Sequence, residues 1–152
     1  MGVRLGVLLF AIAAVVLLAG CEDKTSGDEQ TLTYTEGKGE FNPIGETSEN
    51  SVPPGSGFAL SIPLEDDSGS EAGTLDAVCV STSESPGRDL IGTCTGTADL
   101  DAGQFAINVG GTVGEAVTGS ITGGTGDYDG ATGTFESSGG NGATDTFTYT
   151  LP

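Results

Sequence analysis

The side chains that could do chemistry in this chain are three cysteines and 22 carboxylates, set against four bases and no histidine. Without histidine there is no Ser-His-Asp or Cys-His nucleophile pair, and no His-ligated zinc, iron or haem. Proton transfer then falls to carboxylates, which serve as acids or bases near neutral pH only where burial or a neighbouring charge raises their pKa. The formal net charge of −18 repels phosphate backbones and anionic lipid surfaces, which argues against nucleic acid as a partner. No cofactor is expected.

Cys79 and Cys94 have their midpoint between residues 86 and 87, inside Ser85-Pro86-Gly87-Arg88. Pro-Gly reads as a turn, so the two cysteines fall opposite each other across an antiparallel hairpin, near enough for a disulfide. An exported domain would keep that bond. The alternative is two buried free thiols; two cysteines alone make a poor metal site, and none is expected. Arg88, beside the turn, reads as a surface residue.

The third cysteine follows a leader. Arg4 is its one charge, and residues 5–19 form an apolar or small run of 15. At about 1.5 Å per residue this is too short for the ~30 Å hydrocarbon core, so it reads as a cleaved signal, not a permanent span. The run ends in Leu18-Ala19-Gly20-Cys21, which resembles the lipobox of bacterial lipoproteins, where the cysteine receives two fatty acyl chains and becomes the N-terminus. Two chains on one residue hold a protein at a membrane without a basic patch. The expected organisation is a signal peptide (1–20), an acidic tether (21–30) and one folded domain (31–152). Its expected place is the bacterial cell envelope, outside the cytoplasm.

Twenty-seven glycines and the absence of Trp suggest a turn-rich all-β domain. Alternating apolar and polar positions predict eight strands, at 31–35, 58–64, 75–83, 90–100, 105–109, 117–122, 127–137 and 144–151, with a long irregular loop over 37–57. Pro63 predicts an edge or bulge near the end of the second. In the last, Thr146, Thr148 and Thr150 alternate with Phe147, Tyr149 and Leu151. Eight such strands form either a sandwich or a closed barrel.

Residues 121–133, Ile-Thr-Gly-Gly-Thr-Gly-Asp-Tyr-Asp-Gly-Ala-Thr-Gly, are similar to a signature of the allene oxide cyclase and dirigent proteins. Gly123, Gly124 and Gly126 suit a tight reversal, and Gly130 and Gly133 a bent strand. The cysteine hairpin, Gly103-Gln104-Phe105 and the Thr/Tyr-rich terminal strand also match the order in bacterial members. The resemblance covers residues 57–152 well and the first strand loosely. It implies an eight-stranded antiparallel β-barrel. A dinucleotide loop is rejected, because position 129 is Asp and a strand follows. Asp127 and Asp129 read as a solvated turn, with Ala131 and Gly133 where a calcium loop needs oxygens.

Allene oxide cyclases close an unsaturated epoxide, and dirigent proteins steer phenolic intermediates, in preformed apolar barrels. The resemblance points to Glu36, after Tyr34 at the end of the first strand, as the carboxylate for any catalysis. Tyr34 and Asn108 are the candidate ligand-binding groups, although Asn108 is opposite in phase to Phe105 and Ile107. Three functions follow: a lipid-anchored barrel binding a small apolar molecule, which we favour; a cyclase, isomerase or dirigent-type stereocontrol protein; and a structural surface lipoprotein with a filled barrel. The resemblance also allows a homotrimer, while the acidity opposes close association at low salt. Intact mass of the membrane fraction tests the anchor: the mature chain is expected to start at a lipid-modified Cys21, and Cys21→Ser to release it from the membrane.

Overall fold

The computed structural model describes residues 27–46, 51–86 and 90–152. The leader, Cys21 and Gly87-Arg88 lie outside the described residues. The strands are β1 (Gln30–Glu36), β2 (Glu40–Ile44), β3 (Ser51–Val52), β4 (Gly57–Glu65), β5 (Glu71–Ser81), β6 (Ser85–Pro86), β7 (Ile91–Leu100), β8 (Gly103–Thr112), β9 (Val117–Gly124), β10 (Thr132–Ser137) and β11 (Thr144–Thr150). The order β1-β11-β10-β9-β8-β7-β5-β4 is antiparallel throughout, and β1 returns to β4 through Thr35↔Glu65 and Glu36↔Leu64. Eight strands therefore close into a barrel. The alternation read from the sequence is the alternation between its lumen and its outer face.

Two segments depart from the sequence expectation. The loop expected over 37–57 contains β2, which runs along the first half of β4 from Glu40↔Ser61 to Ile44↔Gly57. After Glu36, β1 leaves β11 and continues as β2 on the same side of β4, with Gly37 N–H donating to Pro63 O (2.8 Å) at the join. β2 carries no apolar period to read, because it is exposed throughout and contains Pro43; proline is tolerated on such a strand. The second departure is in 127–137, where Gly126–Tyr128 is a 3-10 turn and only Thr132–Ser137 is strand. Within the glycine motif, left-handed backbone is confined to Gly126 (φ 63°) and Gly130 (φ 75°). Gly133 is needed for another reason: a Cβ there would run into Thr148 O on β11. The expected irregularity in β4 is a register shift between Leu64 and Glu65.

The interior is filled unevenly. At the end where β1 begins, Phe105 stacks on Tyr128 (centroids 4.1 Å) and Phe147 (5.3 Å), and Tyr149 meets Phe105 edge-on at 4.9 Å. Leu64, Leu100 and Ile121 complete this plug. Each aromatic buries roughly 150–250 Å², so the large side chains of the core are concentrated there. The chain enters at this end: Gln30 pairs with Tyr149 and accepts a hydrogen bond from its hydroxyl at 3.0 Å.

Cys79 and Cys94 are direct partners in the β5–β7 ladder and form a disulfide, with Cα atoms 4.0 Å apart. The β5–β7 register agrees with the reversal expected around residues 86 and 87; Ser85–Pro86 form a short ribbon with Ser51–Val52, and the rest of the expected turn lies outside the described residues. The closed loop spans a sequence separation of 15. Replacing both cysteines by serine is expected to reduce stability by about 3 kcal/mol, read as a lower urea midpoint, with a steeper slope from the less compact unfolded chain.

Candidate functional site

β7 turns Gly92, Cys94, Gly96 and Ala98 into the barrel, and β5 adds Ala77. Small side chains on two adjacent strands cannot fill the lumen as the aromatic plug does. At the end opposite the plug they leave a cavity of about 370 Å³, walled by Leu60, Ile62, Leu75, Ile107, Val109 and Phe135. Phe41 of β2 stands at its rim, 57% exposed, and meets Phe58 edge-on at 5.6 Å. The disulfide forms part of the wall.

Glu36 is the last residue of β1 and lines this cavity, half-buried. Its backbone N–H donates to Ala143 O (2.7 Å), which extends the β1–β11 ladder to the point where β1 changes partner. Next to it stands a carboxylate that the sequence reading did not single out. Asp145 is inward on β11, opposite Tyr34 on one side and Ser137 on the other. It is fully buried, and neither carboxylate oxygen reaches a hydrogen-bond partner. Ser137 and Glu36 are close enough to influence its titration without closing that geometry. Burial, and then the charge of Glu36, push the Asp145 carboxyl up to about 7, against a smaller pull from Ser137. Burial likewise raises Glu36, and Asp145 pulls it back down. Two carboxyls this close in an apolar setting titrate as a pair and retain a proton between them into the neutral range. Such a pair can give or take a proton at neutral pH.

The other two candidates lie elsewhere. Tyr34 points into the lumen but is not among the cavity-lining residues; it packs edge-on against Phe147, ring centroids 6.1 Å apart. Its hydroxyl is raised mainly by burial and then by Tyr149, on the plug side. Asn108 is on the outer face, exposed, where its Oδ1 accepts a hydrogen bond from Thr95 Oγ1 at 2.8 Å. Its phase against Phe105 and Ile107 decides its place: a residue out of step with the apolar positions of a barrel strand faces solvent. Asp145, by contrast, is one step before Phe147 and Tyr149 in the inward phase, so the alternation of β11 carried the signal that would have found it.

No family model and no curated protein matches the sequence. Among solved structures, a pyocyanin demethylase superposes with a TM-score of 0.64 over 80% of this chain and 99% of that one, at 23% identity. Two pterocarpan synthase dirigent proteins give TM-scores of 0.61 and 0.52 at 15% and 13% identity. They cover 84% and 83% of this chain and 93% and 96% of their own. The fold is the dirigent-type barrel. The dirigent-type barrel here differs from a solid core by its hollow end and by the acid pair set into the wall of that end.

The pair should show in stability. Asp145 binds its proton more tightly folded than unfolded, so its contribution falls as pH rises from about 4 towards 7 and is level above that. Asp145→Asn copies the protonated shape and cannot ionise. Its urea stability relative to the parent is expected to be near zero difference at pH 4 and to grow to a few kcal/mol in favour of the variant by pH 7.5.

Proposed function

We propose that the barrel is a small-molecule binding protein whose hollow end takes one compact, mainly apolar ligand, with Glu36 meeting the ligand's polar atom. The observation that carries this reading is the cavity of about 370 Å³ with an apolar wall and the half-buried Glu36 carboxylate in its lining. Binding sites for small molecules are built in this way, from a preformed apolar hollow and a few converging polar groups. The structural neighbours agree in kind, being named for work on small molecules: a pyocyanin demethylase and two pterocarpan synthase dirigent proteins.

A second reading, turnover of the bound molecule by an isomerase, cyclase or dirigent-type mechanism, is favoured by the Glu36–Asp145 pair. A carboxyl that still holds its proton near pH 7 can protonate a leaving oxygen, and its ionised partner can remove a proton from carbon or oxygen. The apolar wall would hold the ligand in one conformer while this happens. In either reading the domain works outside the cytoplasm, held by lipid on Cys21. That location is supported by Leu18-Ala19-Gly20-Cys21 and by a disulfide that an oxidising compartment preserves.

Native mass spectrometry of the protein purified from its own producer is the direct test, with a retained small molecule at one per barrel as the expected result. Ala77→Phe, which projects a ring into the cavity, is expected to lose that molecule while keeping the far-UV spectrum of the parent. A parent free of ligand, with an apolar fluorescent dye binding parent and Ala77→Phe equally, would favour the structural reading.

A further inference from the structure

Among the described residues, the charge balance around the cavity has no positive member. Glu36 and Glu115 line it, and Asp145 stands behind Glu36 with both oxygens unpartnered. Lys38, the one base among the described residues, is exposed on the turn after β1 and is not among the cavity-lining residues. Burying an ionised carboxylate without a counter-charge is strongly unfavourable. Filling the cavity with a neutral apolar body would make this worse, since it covers the exposed part of the half-buried Glu36. An anionic body would add repulsion at short range from the half-buried Glu36 and, more weakly, from the exposed Glu115. A positively charged body reverses the sign of each of these terms. It supplies the missing counter-charge, and the field of a chain with net charge −18 draws it to the mouth. The wall also contains the phenyl rings of Phe41 and Phe135, a side-chain type whose faces attract cations.

We propose that the ligand of this site is an organic cation, a compact apolar body carrying an amine or quaternary nitrogen, seated with its charge against the Glu36–Asp145 pair. The proposal rests on the binding reading given above and adds the chemical class. It makes the unpartnered Asp145 part of the site: Glu36 meets the cation, and Asp145 acts as a positioning residue that adds charge from behind.

Two probes of nearly the same shape separate charge from fit. Benzyltrimethylammonium carries one positive charge, and neopentylbenzene replaces its nitrogen by carbon. By competition against an apolar fluorescent dye at pH 8 and moderate salt, the cation is expected to bind the full domain at least tenfold more tightly than the neutral isostere. Glu36→Gln should remove most of that preference, weakening the cation and tightening neopentylbenzene, because the ionised group that a neutral body leaves without a counter-charge is gone. Asp145→Asn should reduce the preference part of the way, and a fold check by circular dichroism accompanies both variants. Equal affinity for the two probes, or tighter binding of the neutral one, overturns the assignment of a cation and leaves the binding reading standing. Failure of both probes and of the dye to bind would overturn the binding reading, and the cation assignment with it. A preference for the cation that survives in Glu36→Gln would show that the charge is read at the acidic surface, not in the cavity, and would also overturn the proposal.

Discussion

Closing a sheet on itself removes its open edges, but it also fixes how much space the inward side chains must share. In an eight-stranded barrel that space is about enough for side chains to fill, so the sizes of a few inward residues decide whether a given level is solid or hollow. Here the sum is divided by position along the axis. Phe105, Phe147, Tyr128 and Tyr149 crowd one end, and Gly92, Cys94, Ala77 and Gly96 leave the other open. The plug keeps the barrel from collapsing into its own cavity, and the disulfide joins the two strands whose inward faces have the least to pack with. The hollow is therefore a product of the same closure that stabilises the fold.

The acid pair is the point at which this stability is set against a site. A phenylalanine or leucine at Asp145 would extend the plug and cost nothing in desolvation. A carboxylate there does the opposite, and it shifts a proton equilibrium into the neutral range. Perturbed carboxyls beside a cavity are characteristic of binding and catalytic sites, where local stability is surrendered for chemistry. The placement is also economical in backbone terms. Glu36 sits where β1 exchanges β11 for an onward run along β4, so the ladder opens beside the carboxylate and the cavity reaches it.

The sequence made the strand faces legible wherever the alternation was strong. Phe58, Leu60, Ile62 and Leu64, and again Phe147 and Tyr149, mark lumen positions without ambiguity, and Cys79 with Cys94 gives the register of β5 against β7. What it concealed was whatever depends on closure. β2 has no buried face and therefore no period to read. Asp145 shares the inward phase of Phe147 and Tyr149, but in a chain with 22 acids that phase places the carboxylate on the inner face without showing that it is sealed from water. Glu36 was reachable through the resemblance, since it ends a strand, but that it shares its surroundings with Asp145 follows only from β1 and β11 being neighbours across the seam. Asn108 is a different case: its polarity suggests a ligand contact, but its phase points outwards, and the structure places it on the outer face.

The chain joins the barrel at the plugged end, where Gln30 lies beside Tyr149 and Gly27 lies against Leu151. The mouth is at the other end of the axis. A barrel suspended from a lipid on Cys21 would hang by its solid base, with the opening turned towards the surrounding fluid. If the proposed anchor and ligand both hold, entry would be from the aqueous phase and not from the bilayer, which would limit how greasy a cargo could be.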